Sequence, residues 1–196
     1  MHYPLIVALQ GDTSPEDVDT ALADAINSYS EHYLVYTTEF GTEPGCGEWD
    51  WWVVGGRWRG SFTLTLDALS RRQAGTLSIP IDTDFHIGGI PEVQIRHYDL
   101  ADRLGSMFSV TTAEPDREPL PPHQTDCARL GDIQPDSLRV PFYWIDLDGL
   151  LHELDGTPGV PPADFDNPKD FNSRRFRQWI QTLSGDTWLV SVDVHR

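Results

Sequence analysis

A chain of 196 residues, of which 39% are hydrophobic and seven are tryptophan, can bury a sizeable core and fits one domain better than two. Its formal net charge of −17, from 14 basic and 31 acidic residues, argues against binding to DNA or RNA and against attachment to an anionic membrane. The two cysteines lie far apart, no apolar run is long enough for a membrane span, and the N-terminal residues lack a signal-peptide pattern, so we expect a cytoplasmic protein without a disulfide framework.

The first predicted unit is a strand, a helix and a second strand. Residues 3–10 are apolar almost throughout, which is typical of a buried strand. Ser14, Pro15 and the two acids after them have the pattern of a helix start, and apolar residues at helical spacing extend this helix to about Tyr29. Residues 33–40 are rich in β-branched and aromatic side chains, which predicts the second strand.

A block rich in tryptophan follows, over residues 48–59, with the sequence EWDWWVVGGRWR. Indole rings stack on planar ligands, arginine binds phosphate or carboxylate through two hydrogen bonds, and a glycine pair lets backbone approach a ligand closely. The candidate ligand-binding residues are Trp49, Trp51, Gly55, Gly56, Arg57 and Trp58, and Asp50 is a candidate acid or base. The alternative is a strand–turn–strand segment whose tryptophans fill the core and whose Arg57 pairs structurally with Asp50.

The middle of the chain carries weaker signals. Alternating apolar residues predict a half-buried strand over residues 61–66, and residues 76–81 have the composition of another short strand. Residues 82–139 contain a glycine pair, a proline-rich stretch and a candidate short helix around residues 98–104. We expect this stretch to be an irregular insertion.

The last third of the chain is predicted to be regular. Residues 142–146 and 150–154 flank Asp148-Gly149, a pair typical of a hairpin turn, and residues 187–195 alternate like a strand. Between them, apolar residues at helical spacing predict a helix from about Pro168. The order of elements predicts a single α+β domain over residues 1–196, with a ferredoxin-like (βαβ…ββαβ) antiparallel-rich sheet, two helices and the long inserted loop region.

Acids and histidines in the last strands are candidates for catalysis. Ser191, Asp193 and His195 would share the face of the last strand opposite its apolar side chains. An aspartate and a histidine two residues apart on one face can support acid–base chemistry or hold a metal, and the alternative is an exposed polar face. His152 in the hairpin is another candidate base or ligand. No motif identifies a cofactor or a metal.

Three blocks together resemble an uncharacterised family of small proteins that is frequent in actinobacterial phages. Its members carry a Trp-Asp-aromatic-x-x-Gly-Gly-Arg-Trp block, a later Asp-Gly-x-x-His hairpin and a C-terminal strand ending in Asp-x-His. Here these are residues 49–58, 148–152 and 193–195. Val194 stands where the family commonly has cysteine, so a thiol role at this position of the C-terminal strand is excluded. Leu151 stands where the family has an aromatic residue before the hairpin histidine. The resemblance implies phage or prophage origin and a shared site, without an established activity.

Three functions are compatible with these features. The first is binding of a small planar or anionic, nucleotide-like ligand in a pocket of Trp, Arg, Asp and His side chains. The second is a hydrolase-type enzyme with His195 as base, Asp193 or Asp50 as its partner and a metal as an optional component. The third is an acidic module that acts on a host protein. The first two require Asp50, Arg57, His152 and His195 to lie close together.

Overall fold

The computed structural model describes residues 2–29, 35–38, 41–44, 49, 51–80, 87–88, 119–153 and 168–195. The strands are β1 (His2–Leu9), β2 (Val35–Thr38), β3 (Gly41–Pro44), β4 (Trp51–Val54), β5 (Phe62–Thr63), β6 (Ile87–Gly88), β7 (Gln124–Thr125), β8 (Cys127–Arg129), β9 (Tyr143–Ile145), β10 (Leu151–Glu153) and β11 (Trp188–His195). The α-helices are α1 (Val18–Asn27), α2 (Leu66–Gln73) and α3 (Pro168–Thr182). Among these described helices, none combines the length and the apolar character that crossing a bilayer requires.

The main sheet places β1 and β11 side by side. They pair antiparallel over their whole length, from His2 opposite His195 to Leu9 opposite Trp188. On its other side β1 pairs parallel with β9, which pairs antiparallel with β10. On the far side of β11, β8 and β4 follow each other along the strand, and β6 borders β4. The fold is therefore α+β with a mainly antiparallel sheet.

Apolar layers cover both faces of this sheet. Because side chains alternate along a strand, Val190, Val192 and Val194 point to one face of β11, and Ser191 and Asp193 to the other. On the first face, called the α1 face, the buried side chains of α1 pack on the sheet. On the second, called the α3 face, the packed residues come from α2, α3 and the strands: Ile6, Ala8, Phe62, Leu64, Ala68, Ala128, Ile133, Trp144, Phe176 and Leu189.

The predicted elements at the two ends of the chain are confirmed. β1, α1, the β9–β10 hairpin, α3 and β11 lie where the sequence patterns placed them, within a few residues at each end. Helix α1 is preceded by one turn of 3₁₀-helix at Pro15–Asp17. Gly149 has a φ of 76°, which agrees with the hairpin turn predicted from Asp148-Gly149.

The ferredoxin-like topology is not confirmed. Strand β2, expected to complete the opening βαβ unit, pairs with β3 in a separate two-stranded hairpin. The parallel neighbour of β1 is β9, the first strand of the later hairpin. Only two residues connect β2 to β3, and closing so short a loop costs little entropy, which favours pairing between these neighbours in sequence.

Residues 61–80 contain more helix and less strand than predicted. Strand β5 covers two residues, Leu64 adds one bridge to Ile133, and α2 begins at Leu66. The hydroxyl of Thr65 caps this helix by accepting the N–H of Ala68 at 3.2 Å. The described residues 76–80 form no strand, because the N–H groups of Thr76 and Leu77 fold back onto the carbonyl oxygen of Arg71.

The stretch predicted as an irregular insertion contains regular structure in its described part. Strand β7 pairs with β5, and β8 joins the main sheet beside β11. Asp126 and Cys127 are fully buried, so this segment belongs to the core. Strands of two or three residues show too little periodicity to be recognised in a sequence. Apart from β6, residues 81–118 lie outside the described residues, and so does the helix predicted around residues 98–104.

Candidate functional site

Strand β4, which belongs to the tryptophan block, meets strand β8 end to end along β11. Strand β4 ends with Val54 opposite Val192, and β8 begins with Cys127 opposite Val190. Ser191, between these positions, donates its N–H to the carbonyl of Asp126 at 2.8 Å and accepts the N–H of Gly55 at 2.9 Å. The chain leaves the sheet at this junction through residues 55–61, called the glycine turn below.

Two buried carboxylates hold the glycine turn. Asp193 Oδ2 accepts the backbone N–H of Arg57 at 3.0 Å, and Asp126 Oδ1 accepts the backbone N–H of Ser61 at 3.0 Å. Asp193 is 1% exposed and Asp126 is 0% exposed, so the exposed polar face considered for β11 is wrong at Asp193. An ionised carboxylate is costly to bury without hydrogen bonds. The turn therefore supplies donors that both acids need.

Gly55 and Gly56 bring backbone into contact with these acids. Both glycines have positive φ values, 72° and 50°, which side-chain-bearing residues rarely adopt. A Cβ added to Gly55 would lie 2.5 Å from Asp126 Oδ2, and one added to Gly56 would lie 2.5 Å from the Cβ of Asp193. The close approach expected between the glycine pair and a ligand is thus made to the protein's own carboxylates.

His2 is a partner of Asp193 that the sequence analysis missed. Its Nδ1 lies 3.0 Å from Oδ1 and 3.1 Å from Oδ2 of Asp193. The register places His2 opposite His195, so Asp193 is its diagonal neighbour on the same face. Pairing of the first with the last strand creates this contact. The side chain of His195 lies outside the described residues, and the expected pairing of His195 with Asp193 stays a prediction.

A cavity of about 110 Å³ lies beside the glycine turn on the α3 face. Trp58, which is 38% exposed, lines it together with the exposed Arg139. The other lining residues are Pro4, Ile6, Ser61, Phe62, Val140, Pro141 and Ser191. Within the described part of the chain, no acid forms an ion pair with Arg139 or with the exposed Arg57. Trp58 is the predicted ligand-binding residue that lines the cavity.

Besides Arg139, two serines contribute polar groups to the cavity wall. Ser61 Oγ donates a hydrogen bond to the carbonyl oxygen of Trp58, and Ser191 Oγ lies 2.8 Å from Ser61 Oγ. Ser191 was noted in the sequence as sharing the face of Asp193. Ser61 and Arg139 were not singled out, because an isolated serine or arginine in a loop has no pattern that distinguishes it.

Trp49 and Trp52 lie in the core of the α1 face, away from the cavity. They are 0% and 1% exposed, and Trp52 Nε1 donates to Asn27 Oδ1 at 3.2 Å. The ring of Trp49 lies 5.7 Å from that of Tyr143 in an edge-to-face arrangement. The alternative in which tryptophans of the block fill the core therefore holds for these two. Asp50 and the side chain of Trp51 lie outside the described residues.

His152 lies at a different place on the α3 face. The register aligns it with Trp144, then Ile6, then Ser191, so three strand spacings, roughly 14 Å, separate His152 from the junction. Its Nε2 lies 2.7 Å from Asp146 Oδ2, and its ring stacks on Trp144 with centroids 5.1 Å apart. A single pocket therefore does not include both His152 and the cavity beside Trp58, so the expected grouping of His152 with Arg57 is wrong, and the lining of the cavity contains no Asp or His among the described residues.

Asp146 has a lowered pKa. Partial burial raises the pKa of this carboxyl group, but the hydrogen bond from His152 and the backbone N–H groups of Leu150 and Asp148 lower it further than burial raises it. The backbone donors lie 2.9 and 3.0 Å from Asp146 Oδ1. The ionised form of Asp146 is thus favoured, and this form can orient the His152 ring.

Among the described residues, no three His, Cys, Asp or Glu side chains are grouped in a way that could hold a metal ion. No family model matches the sequence, and no curated protein or solved structure matches it either. The resemblance to a family from actinobacterial phages therefore stays a prediction.

Proposed function

We propose that this chain binds a small planar ligand with an anionic group in the cavity beside the glycine turn. The observation that supports the proposal is that Trp58 and Arg139 line one cavity with a largely apolar floor. An indole face stacks on a planar ring, and a guanidinium binds a carboxylate or phosphate through paired hydrogen bonds. Since Arg139 has no acidic partner among the described residues, its charge is available to a ligand.

The volume of the cavity restricts the ligand. A cavity of about 110 Å³ is smaller than the apolar cavity of roughly 150 Å³ that takes up benzene, and drug-sized ligands need about 300–1,000 Å³, so it holds the edge of one ring and leaves the rest of the ligand outside. A nucleotide-like ligand would place one edge of its base in the cavity, against Trp58, and leave its sugar and phosphate outside. Arg139 in the cavity wall, and Arg57 beside Trp58 in the turn, are the cations that would meet the phosphate.

Thermal unfolding with added ligands tests this proposal. We expect adenosine monophosphate and indole-3-acetate to raise the Tm of the wild-type protein, because a ligand that binds only the folded state stabilises it by about 2.7 kcal/mol at 100 times its Kd. Trp58→Ala should abolish the increase. Arg139→Gln should reduce it for these anions while leaving the response to neutral indole unchanged.

Arg177→Gln is the matched control, because it removes an exposed arginine of α3 that does not line the cavity. If no planar compound raises the Tm, or if Trp58→Ala responds like the wild type, the ligand proposal is wrong. That result would leave the hydrolase and the acidic module that acts on a host protein; for the acidic module, the affinity for a basic partner should fall steeply with salt.

A hydrolase activity is the second candidate, and the His152–Asp146 pair favours it. A carboxylate that fixes one imidazole nitrogen leaves the other nitrogen to act as a base, and the His152 side chain is 25% exposed. Hydrolysis of p-nitrophenyl acetate should then be faster with the wild type than with His152→Gln. Equal rates for the two proteins would exclude His152 as the base.

A further inference from the structure

The chemistry of their partners fixes the protons of the two serine hydroxyls in the cavity wall. A carbonyl oxygen can only accept a hydrogen bond, so Ser61 Oγ uses its single proton on the carbonyl of Trp58. Ser61 Oγ must therefore be the acceptor in its 2.8 Å contact with Ser191 Oγ, and the proton of Ser191 points to Ser61. Both protons are directed into the protein.

These two hydroxyls can therefore act towards a ligand only as hydrogen-bond acceptors, through their lone pairs. A hydroxyl oxygen has two acceptor positions, so Ser191 Oγ keeps both, while Ser61 Oγ keeps one. Within the described part of the chain, no group donates a hydrogen bond to Ser191 Oγ. The backbone of Ser191 offers nothing further, because its N–H and its carbonyl are bonded to Asp126 and Gly55.

We infer that the cavity selects planar rings that donate an N–H hydrogen bond over rings of the same shape whose polar atom only accepts one. This inference rests on the proposed function, because it specifies the ligand class of the same cavity. Ser191 is 2% exposed, so a ligand atom placed against its hydroxyl has lost its own water. An N–H group regains a hydrogen bond there, whereas an acceptor atom faces the lone pairs of Ser191 Oγ.

Indole and benzofuran test this selection in the unmodified protein. The two molecules have nearly the same shape, and they differ in having N–H or oxygen at one ring position. Titration calorimetry should show that indole binds about fivefold more tightly or better, the factor that one net hydrogen bond of about 1 kcal/mol provides. If neither compound binds and indole-3-acetate does not raise the Tm, the proposed function fails. If indole-3-acetate raises the Tm but neither neutral ring binds, the ring N–H adds no measurable affinity and this inference is overturned. If both bind equally, or if benzofuran binds more tightly, the proposed function survives and this inference is overturned.

The Ser61→Ala variant tests the proton assignment itself. Removal of the Ser61 hydroxyl frees the proton of Ser191 to point to the ligand, so Ser191 becomes able to donate as well as accept. The ratio of benzofuran to indole dissociation constants should then fall from about five towards one. An unchanged ratio in Ser61→Ala would overturn the inference.

Ser28→Ala is the matched control for this variant. Ser28 Oγ also donates to a backbone carbonyl, that of Ala25 at 2.9 Å, but it lies at the end of α1 on the other face of the sheet. The wild-type ratio should persist in Ser28→Ala. Because the comparison of the two ligands in the wild type needs no variant, it decides the question even if Ser61→Ala does not fold.

Discussion

Gly56 lies so close to Asp193 that a Cβ added to the glycine would stand 2.5 Å from the Cβ of the aspartate. The same aspartate accepts the N–H of Arg57, the next residue in the turn. The glycine turn is therefore fitted onto β11, and the glycine pair in the sequence is explained by contacts within the protein. The turn presents Arg57 and Trp58 outwards.

Gly56→Ala should destabilise the protein by about 2–5 kcal/mol. The alanine would need a φ of 50°, which costs about 1–2 kcal/mol, and it would also meet Asp193, where overpacking costs about 1–3 kcal/mol. Gly75→Ala is the control, since Gly75 has a φ of 68° but a Cβ there would meet no heavy atom within 4 Å. That variant should lose only about 1–2 kcal/mol. Equal losses in urea unfolding would contradict the close contact with Asp193.

Tryptophans of the block should differ in their contribution to stability. Trp52→Ala is expected to lower the free energy of unfolding by about 3–5 kcal/mol, because Trp52 is 1% exposed and packs in the core. Trp58→Ala is expected to lower it by less, about 1–3 kcal/mol, because Trp58 is 38% exposed and part of its ring is already in contact with water. Chemical denaturation of the two variants measures both values. A large loss in Trp58→Ala would show that its ring supports the fold.

His2 and Asp193 should be energetically coupled. A double-mutant cycle with His2→Ala and Asp193→Ala should give a coupling energy of about 1–3 kcal/mol, since hydrogen bonds to charged groups contribute about this much. The control cycle combines Asp193→Ala with His152→Ala. His152 lies three strand spacings away from β11, which carries Asp193. The losses of unfolding free energy caused by these two substitutions should be additive within about 0.5 kcal/mol. Additivity in the first cycle would mean that the contact between His2 and Asp193 does not contribute to folding.

Asp146 should make the stability depend on pH in the acid range. Its pKa in the folded protein lies below the ordinary value of 3.8, so its ionised form stabilises the fold above that value. This stabilisation is lost as the pH falls through the lowered pKa of the folded state. The difference in unfolding free energy between the wild type and Asp146→Asn should therefore be largest near neutral pH and shrink on acidification. A difference that stays constant from pH 7 to pH 2 would contradict the lowered pKa.

The parts of the fold that could be predicted have a pattern that repeats over many residues or, for the short strands of the β9–β10 hairpin, a turn signal between them. The alternation of β11 and the helical spacing in α3 identified both elements, because each pattern extends over several turns or pairs. Helix α2 was missed although Thr65 caps it and Arg71 and Arg72 lie in its last turn. The alternating residues before Thr65 suggested that the strand continued. Strands β7 and β8 were too short to show a period.

The candidate site was predicted in part, for a different physical reason. The sequence identified the glycine pair, Trp58 and Asp193, because these residue types are conspicuous by chemistry. It could not identify Asp126 as a residue that holds the turn, or His2 as the partner of Asp193, because both contacts depend on which strands are neighbours in the sheet. The sequence also suggested that His152 belongs to the same site, but the strand register of the sheet places His152 away from these residues.

The position of β1 has a consequence for synthesis of the chain. Strand β1 lies between β9 and β11, both of which the ribosome makes much later. Until then the apolar strand emerges with neither edge paired, and only local contacts with α1 can cover one of its faces. Closing such long loops slows folding, and an unpaired apolar strand exposes the nascent chain to aggregation. A ribosome that pauses before β9 would hold the chain with both edges of β1 unpaired, and one that pauses between β9 and β11 would leave the β11 edge unpaired.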